Sequence, residues 1–160
     1  MKTFNILVLC TGNSARSILG EALFNHLGNG RIRAFSAGSQ PSGTVNPVAL
    51  ETLVAHGVPL PEVRSKSWDE FAAPGAPALD FIFTVCASAA GEACPVWLGN
   101  PVTAHWGIPD PAAATGSDAE ISLAFAQAYR QMKNRIEAFT ALPLASLDPM
   151  ARQKQAAAIG

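Results

Sequence analysis

The chain opens on an apolar run, Phe4, Ile6, Leu7, Val8 and Leu9, too short for a helix and too continuous for a half-exposed strand. It predicts a first strand over Thr3 to Leu9, buried on both faces as parallel strands are. A helical rhythm follows, with Ile18, Leu19, Ala22, Leu23 and Leu27 on or near one face of a helix from Ser17 that Gly28 ends. Arg31 to Ser36 reads as a short second strand, and Ala37 to Gly43 as turn chemistry. Asn46-Pro47 offers a cap and first turn for a helix to about Ala55, closed by Gly57.

Ser67-Trp68-Asp69-Glu70 matches the capping-box pattern and predicts a short helix cut off by Pro74. Asp80 to Val85 is the third strand and Val102 to Trp106 the fourth; Ala87 to Asn100 between them has little periodicity. A second capping box, Ser117 to Glu120, opens the longest helix, about Asp118 to Ala141. Its stripe of Ile121, Phe125, Tyr129, Met132, Ile136 and Phe139 steps by four and three, as core packing does. Beyond Pro143 the pattern weakens, with a marginal helix from Pro149. The expectation is one catalytic domain over residues 1–142 with a tail over 143–160.

Strands alternating with helices imply an α/β fold: a four-stranded parallel sheet, right-handed crossovers and helices on both faces. Ligands bind such sheets at the carboxyl ends of their strands. Cys10 ends the first strand, Cys86 the third, and Asp110 follows the fourth, so three chemical groups share one rim.

Length and charge narrow the classes. A chain of 160 residues fits one core, and a formal charge of −1 offers neither a nucleic-acid footprint nor a polybasic membrane patch. No apolar run nears the ~20 residues of a membrane span. Lys2 before Phe4 to Leu9 imitates a secretion signal, but the run is short and the Leu9–Cys10 junction lacks a small residue, so a cytoplasmic location is expected. Three cysteines, an odd number, argue for thiols used chemically rather than for a disulfide framework.

The stretch with the most chemistry is Cys10-Thr11-Gly12-Asn13-Ser14-Ala15-Arg16-Ser17, at the turn from strand to helix. The first N–H groups of a helix lack internal partners, and the helix dipole adds positive charge there, so a tetrahedral oxyanion is well received. Gly12 and Asn13 tolerate the positive φ angles that let successive N–H groups form a nest. Arg16 adds a planar fork for two oxygens. The same field favours a thiolate, which makes Cys10 a nucleophile near neutral pH.

That octapeptide resembles the phosphate-binding loop of the low-molecular-weight tyrosine phosphatases. With Cys86, Cys94 and His105-Trp106-Gly107 leading to Asp110-Pro111, the chain is more similar to the arsenate reductases built on that fold, over about Phe4 to Phe139. The resemblance implies that Cys10 attacks arsenic while backbone N–H groups of Thr11, Gly12, Asn13, Ser14, Ala15 and Arg16, with the Arg16 fork, hold the other oxygens. Ser14 and Ser17 would stabilise the thiolate, and Asp110 would protonate the departing oxygen. In isolation Asp110 reads rather as a turn residue before Pro111, and the motif context reverses that; Cys86 and Cys94 read alternatively as small buried hydrophobes, although Cys94 before Pro95 in a polar stretch does not look buried.

The resemblance further implies a relay in which Cys86 attacks the Cys10 adduct and Cys94 then takes the disulfide outward. Thioredoxin or glutaredoxin with glutathione would be the electron donor, and phosphate and sulfate the competing oxyanions. The spacer from Cys86 to Cys94 is one residue longer than in thioredoxin-coupled members, and Ala112 stands where the phosphatases carry tyrosine. Asn13, Glu21 and Ser36 match a potassium pocket of some members, with Ser67 in place of its acidic partner; potassium is left uncommitted. A phosphomonoesterase and a non-enzymatic oxyanion or redox sensor are the alternatives.

Overall fold

A computed structural model describes residues 3–60, 63–85 and 101–160. Four strands, β1 (Phe4–Cys10), β2 (Ile32–Gly38), β3 (Phe81–Thr84) and β4 (Val102–His105), form one sheet in the order β2-β1-β3-β4. Every pairing is parallel. The chain leaves β1 to one side to make β2 and returns past it to make β3. The crevice where the order reverses therefore lies at the carboxyl ends of β1 and β3, where doubly wound sheets bind ligands. Cys10 closes β1 at that crevice.

The pleat sorts β1 between two cores. Phe4, Ile6, Val8 and Cys10 face the larger one, with α1 (Arg16–Leu27), α2 (Pro47–Ala55) and α3 (Asp118–Thr140). Leu7 and Leu9 face the smaller one, built with Ile82, Leu79 and Phe71 of a 3₁₀ turn over Trp68–Phe71. At the heart of the larger core Phe83 stacks on Trp106 at 3.9 Å, and Phe139 meets Phe81 edge-on at 4.9 Å. Aromatic pairs in these arrangements add about 0.5–1.5 kcal/mol beyond the area they bury.

α1 is more deeply set than its sequence stripe suggests, because every residue from Ser17 to Phe24 is buried. Its alternate faces meet the sheet, α2 and α3. The exit from α1 also differs from a glycine cap. Gly28 keeps a right-handed backbone (φ −69°), and a Cβ there would lie 2.6 Å from Ile32 Cβ. It is small so that β2 can start close by; Asn29 and Gly30 take the left-handed angles of the turn.

The Ser117 capping box forms in full: the Ser117 hydroxyl accepts from Glu120 N and the Glu120 side chain reaches back to Ser117. The Ser67 box does not. Ser67 Oγ accepts from Asp69 N at 3.1 Å, but the Glu70 carboxylate is taken by Arg64. β2 also runs two residues past Ser36, because Gly38 pairs with Cys10 and donates its N–H to Lys66 O. A Cβ on Gly38 would overlap the Thr11 carbonyl.

Residues beyond Pro143 build a fourth helix, α4 (Pro149–Ile159), started by Asp148 Oδ1 accepting from Ala151 N. It lies against the edge strand. Gln153 exchanges two hydrogen bonds with the Thr103 backbone, as a neighbouring strand would, and Trp106 Nε1 donates to Ala156 O at 2.9 Å. Covering an edge in this way removes a template for unwanted pairing. Among the described residues no helix is long and apolar enough to cross a membrane.

Candidate active site

The loop between β1 and α1 is shaped from outside by its own carbonyls. Thr11 O accepts from Gln40 N, Gly12 O from Ser42 N and Ser65 Oγ, and Ser14 O from Asn46 N, at 2.8–3.1 Å. The described peptides are all trans. A trans peptide sets its C=O and N–H on opposite sides, so the N–H groups of Gly12, Asn13 and Ala15 turn away from these partners. A run of N–H groups ahead of a helix N-terminus is an arrangement that can receive an oxyanion.

Only one of the two residues expected to take a positive φ does so: Asn13, at 46°. Asparagine is among the few side chains that tolerate this region, and here it is held from three directions. Its Oδ1 accepts from Lys66 N at 2.8 Å, while its Nδ2 donates to Ser17 Oγ at 2.8 Å and Ser36 Oγ at 2.9 Å. A Cβ at Gly12 would meet no described atom within 4 Å, so glycine leaves open space there.

Cys10 is buried, 6% exposed, at the base of this turn. Arg16 begins α1 and reaches across the rim: one Nη donates to Ile108 O at 3.0 Å and the other lies 3.7 Å from Asp110 Oδ2. Ile108 is itself fixed, its N–H donating to Val85 O at the end of β3. Asp110 caps a turn, as its reading in isolation expects, and also faces the loop. Oδ1 caps the 3₁₀ turn at Pro111–Ala113 by accepting from Ala112 N, and Oδ2 faces Arg16 with the side chain 43% exposed.

Of the residues singled out from sequence, Cys10 through Ser17 and Asp110 thus meet at one rim. Ser17 is buried with its oxygen committed to Asn13. Cys86 and Cys94 lie outside the described residues. His105 makes a lateral bond to Thr84 Oγ1 at 2.8 Å, and Trp106 is wholly buried in the core. His26 is exposed on α1, and His56 Nδ1 meets the Thr52 carbonyl at the end of α2.

The residue that sequence reasoning passed over is Lys66. Read as loop, it is 8% exposed, and its ammonium lies 3.6 Å from Glu21 Oε1 and donates to Arg64 O at 3.0 Å. Burial pushes this ammonium below the ordinary lysine range, against the pull of Glu21. Glu21 Oε1 also accepts from Ser36 Oγ at 2.5 Å. The residues matched to a potassium pocket therefore do not fit that ion. Asn13 turns its amide NH₂ toward Ser36, Ser67 caps the 3₁₀ turn, and the Glu21 oxygen already faces an ammonium.

The model of the low-molecular-weight phosphotyrosine protein phosphatase family matches residues 5–154. An arsenate reductase of Halalkalibacterium halodurans is 34% identical over 134 residues, 84% of this chain and 93% of that protein. An arsenate reductase solved in a phosphate-binding state superposes with a TM-score of 0.69 at 25% identity, over 88% of this chain and 98% of the other. A thioredoxin-dependent arsenate reductase of Corynebacterium glutamicum shares the fold, with a TM-score of 0.58 at 23% identity over 85% of this chain and 63% of its own. The match begins one residue after the start of β1 and runs into α4, taking in the loop, Arg16 and Asp110, and on that ground the chain belongs to the low-molecular-weight phosphotyrosine protein phosphatase family.

Proposed function

We propose that this protein reduces arsenate to arsenite, with Cys10 as nucleophile. The observation that carries the reading is the meeting of a loop whose carbonyls are held from outside, the Arg16 fork and the Asp110 carboxylate at the end of the strand that bears Cys10. That geometry serves arsenate and phosphate alike, since both are tetrahedral oxyanions. The likeness to arsenate reductases and the presence of Cys86 and Cys94 in the sequence turn the reading toward arsenate.

The Cys10 thiolate attacks arsenic and one As–O bond breaks, the hydroxyl departing as water with the proton of Asp110. General-acid help of this kind is worth typically ~10²–10⁴-fold. The Cys86 thiolate then attacks Cys10 Sγ. The S–As bond breaks with its electron pair staying on arsenic, which leaves as arsenite, and a Cys10–Cys86 disulfide remains. Cys94 attacks Cys86 Sγ and expels Cys10 as thiolate. An external dithiol reduces the Cys86–Cys94 disulfide; thioredoxin, or glutaredoxin with glutathione, supplies that chemistry. Each exchange brings two Cα atoms within about 7 Å. Both relay cysteines lie outside the described residues, so the relay rests on the sequence and its resemblance. The thioredoxin dependence of the Corynebacterium glutamicum relative supports a thiol donor.

The test gives purified protein arsenate and NADPH with either a thioredoxin or a glutaredoxin–glutathione system, alongside p-nitrophenyl phosphate hydrolysis. Arsenate-dependent NADPH oxidation with at least one donor is expected. Fast ester hydrolysis with no arsenate reduction would replace this reading by that of a phosphomonoesterase.

A further inference from the structure

Beneath the loop the side chains of Ser17, Asn13, Ser36, Glu21 and Lys66 form one buried polar chain. All five are below 9% exposed, and two carry opposite charges. Burying a carboxylate is costly, and a cation beside it offsets that cost. The chain supplies one of its own. The Lys66 ammonium approaches Glu21 from a backbone that also donates to Asn13 Oδ1, so one residue grips the network at both ends.

We infer that Lys66 is a built-in cation that positions the oxyanion loop, at the place where the resemblance matched Asn13, Glu21 and Ser36 to a potassium pocket. The inference rests on the oxyanion reading of the loop. The ammonium offsets the Glu21 charge at the same oxygen that accepts from Ser36; Ser36 in turn accepts from Asn13, which is held at its positive φ. The loop keeps its shape because Asn13 cannot relax. Lys66 touches no substrate and acts only through this chain, so it is a positioning residue. The lysine also makes the molecule indifferent to potassium, since a second cation beside Glu21 would face the ammonium at close range.

The test reads phosphate affinity by calorimetry and the thermal midpoint, with KCl replaced by choline chloride at constant ionic strength. Both values are expected to be the same in the two salts for the wild-type chain. Lys66→Ala is expected to bind phosphate at least about tenfold more weakly in choline chloride, because Glu21 loses its cation and the chain from Glu21 through Ser36 to Asn13 loses its anchor. KCl should restore part of that loss by entering the space the side chain leaves. A potassium-specific shift in the wild-type chain would overturn the inference, even if Lys66→Ala fails to fold. So would unchanged phosphate affinity in Lys66→Ala, or a loss that KCl leaves unrepaired. Wild-type protein that binds no phosphate would sink the oxyanion reading itself, whereas missing arsenate turnover with intact phosphate binding would leave this inference standing.

Discussion

Arg16 and Asp110 hold each other across the rim: an Arg16 Nη lies 3.7 Å from Asp110 Oδ2 while the other Nη grips the Ile108 carbonyl. The guanidinium thus has a resting position on the very segment that delivers the acid. Asp110→Asn removes the proton donor and the negative charge together. Rate should fall by ~10²–10⁴-fold. Phosphate inhibition should not weaken, because Arg16 loses only a competitor for oxyanion. A rate within a few-fold of wild type would show that Asp110 serves only to cap Pro111–Ala113.

Arg16→Lys keeps the charge and loses the fork. An ammonium cannot hold Ile108 O and present two parallel donors to an oxyanion at once. Phosphate inhibition should weaken by about tenfold or more, in line with ~1.5–3 kcal/mol for a charged hydrogen bond. Inhibition close to wild type would mean that the backbone N–H groups alone bind the anion.

Cys10→Ser should abolish every activity, since a hydroxyl is not ionised near neutral pH. The rate of iodoacetamide alkylation of Cys10 against pH should titrate well below a free thiol, as at other helix N-termini. A midpoint at or above the free-thiol value would remove the activated nucleophile from the mechanism.

The two relay cysteines should fail differently. Cys86→Ser leaves the Cys10–arsenic adduct with no internal thiol to attack it. Cys94→Ser should complete a single turnover and accumulate the Cys10–Cys86 disulfide, seen by mass spectrometry of unreduced peptides. Ester hydrolysis, which needs only Cys10, Arg16 and Asp110, should survive both changes. Full arsenate turnover in both variants would exclude the relay.

The Arg64–Glu70 pair gives a contrast with Lys66–Glu21. Its two hydrogen bonds join side chains that are 62% and 44% exposed. The hydrogen bonds from Arg64 hold the Glu70 carboxyl below the ordinary carboxylate range. Its stabilisation is therefore present above that ordinary range and is lost as pH falls through the lowered value. Glu70→Gln should cost less than about 1 kcal/mol in urea unfolding near pH 7, and less again in high salt. The difference from wild type should vanish in acid; one that persists there would have a cause other than this ion pair.

Local rules sufficed wherever a neighbour in sequence was also the partner in space. The apolar run of β1, the Ser117–Glu120 box and the stripe on α3 needed no information beyond their own segments. The turn from Cys10 into α1 was legible for the same reason, because a cysteine, an arginine and a helix start lie close together in the chain. Ser67 and Glu70 obey the same capping pattern, yet Glu70 turns to Arg64, a competitor that short-range spacing cannot reveal. Gly28 and Gly38 look like turn residues, but each is small because another backbone or side chain comes close. Lys66 is the sharpest case. A lysine in a loop segment reads as solvated, and 45 residues separate it from Glu21; it reaches α1 because its backbone is held by Asn13 and Gly38. Charge pairing in a core depends on which groups lose water together, and that is settled when the chain closes, not along its length.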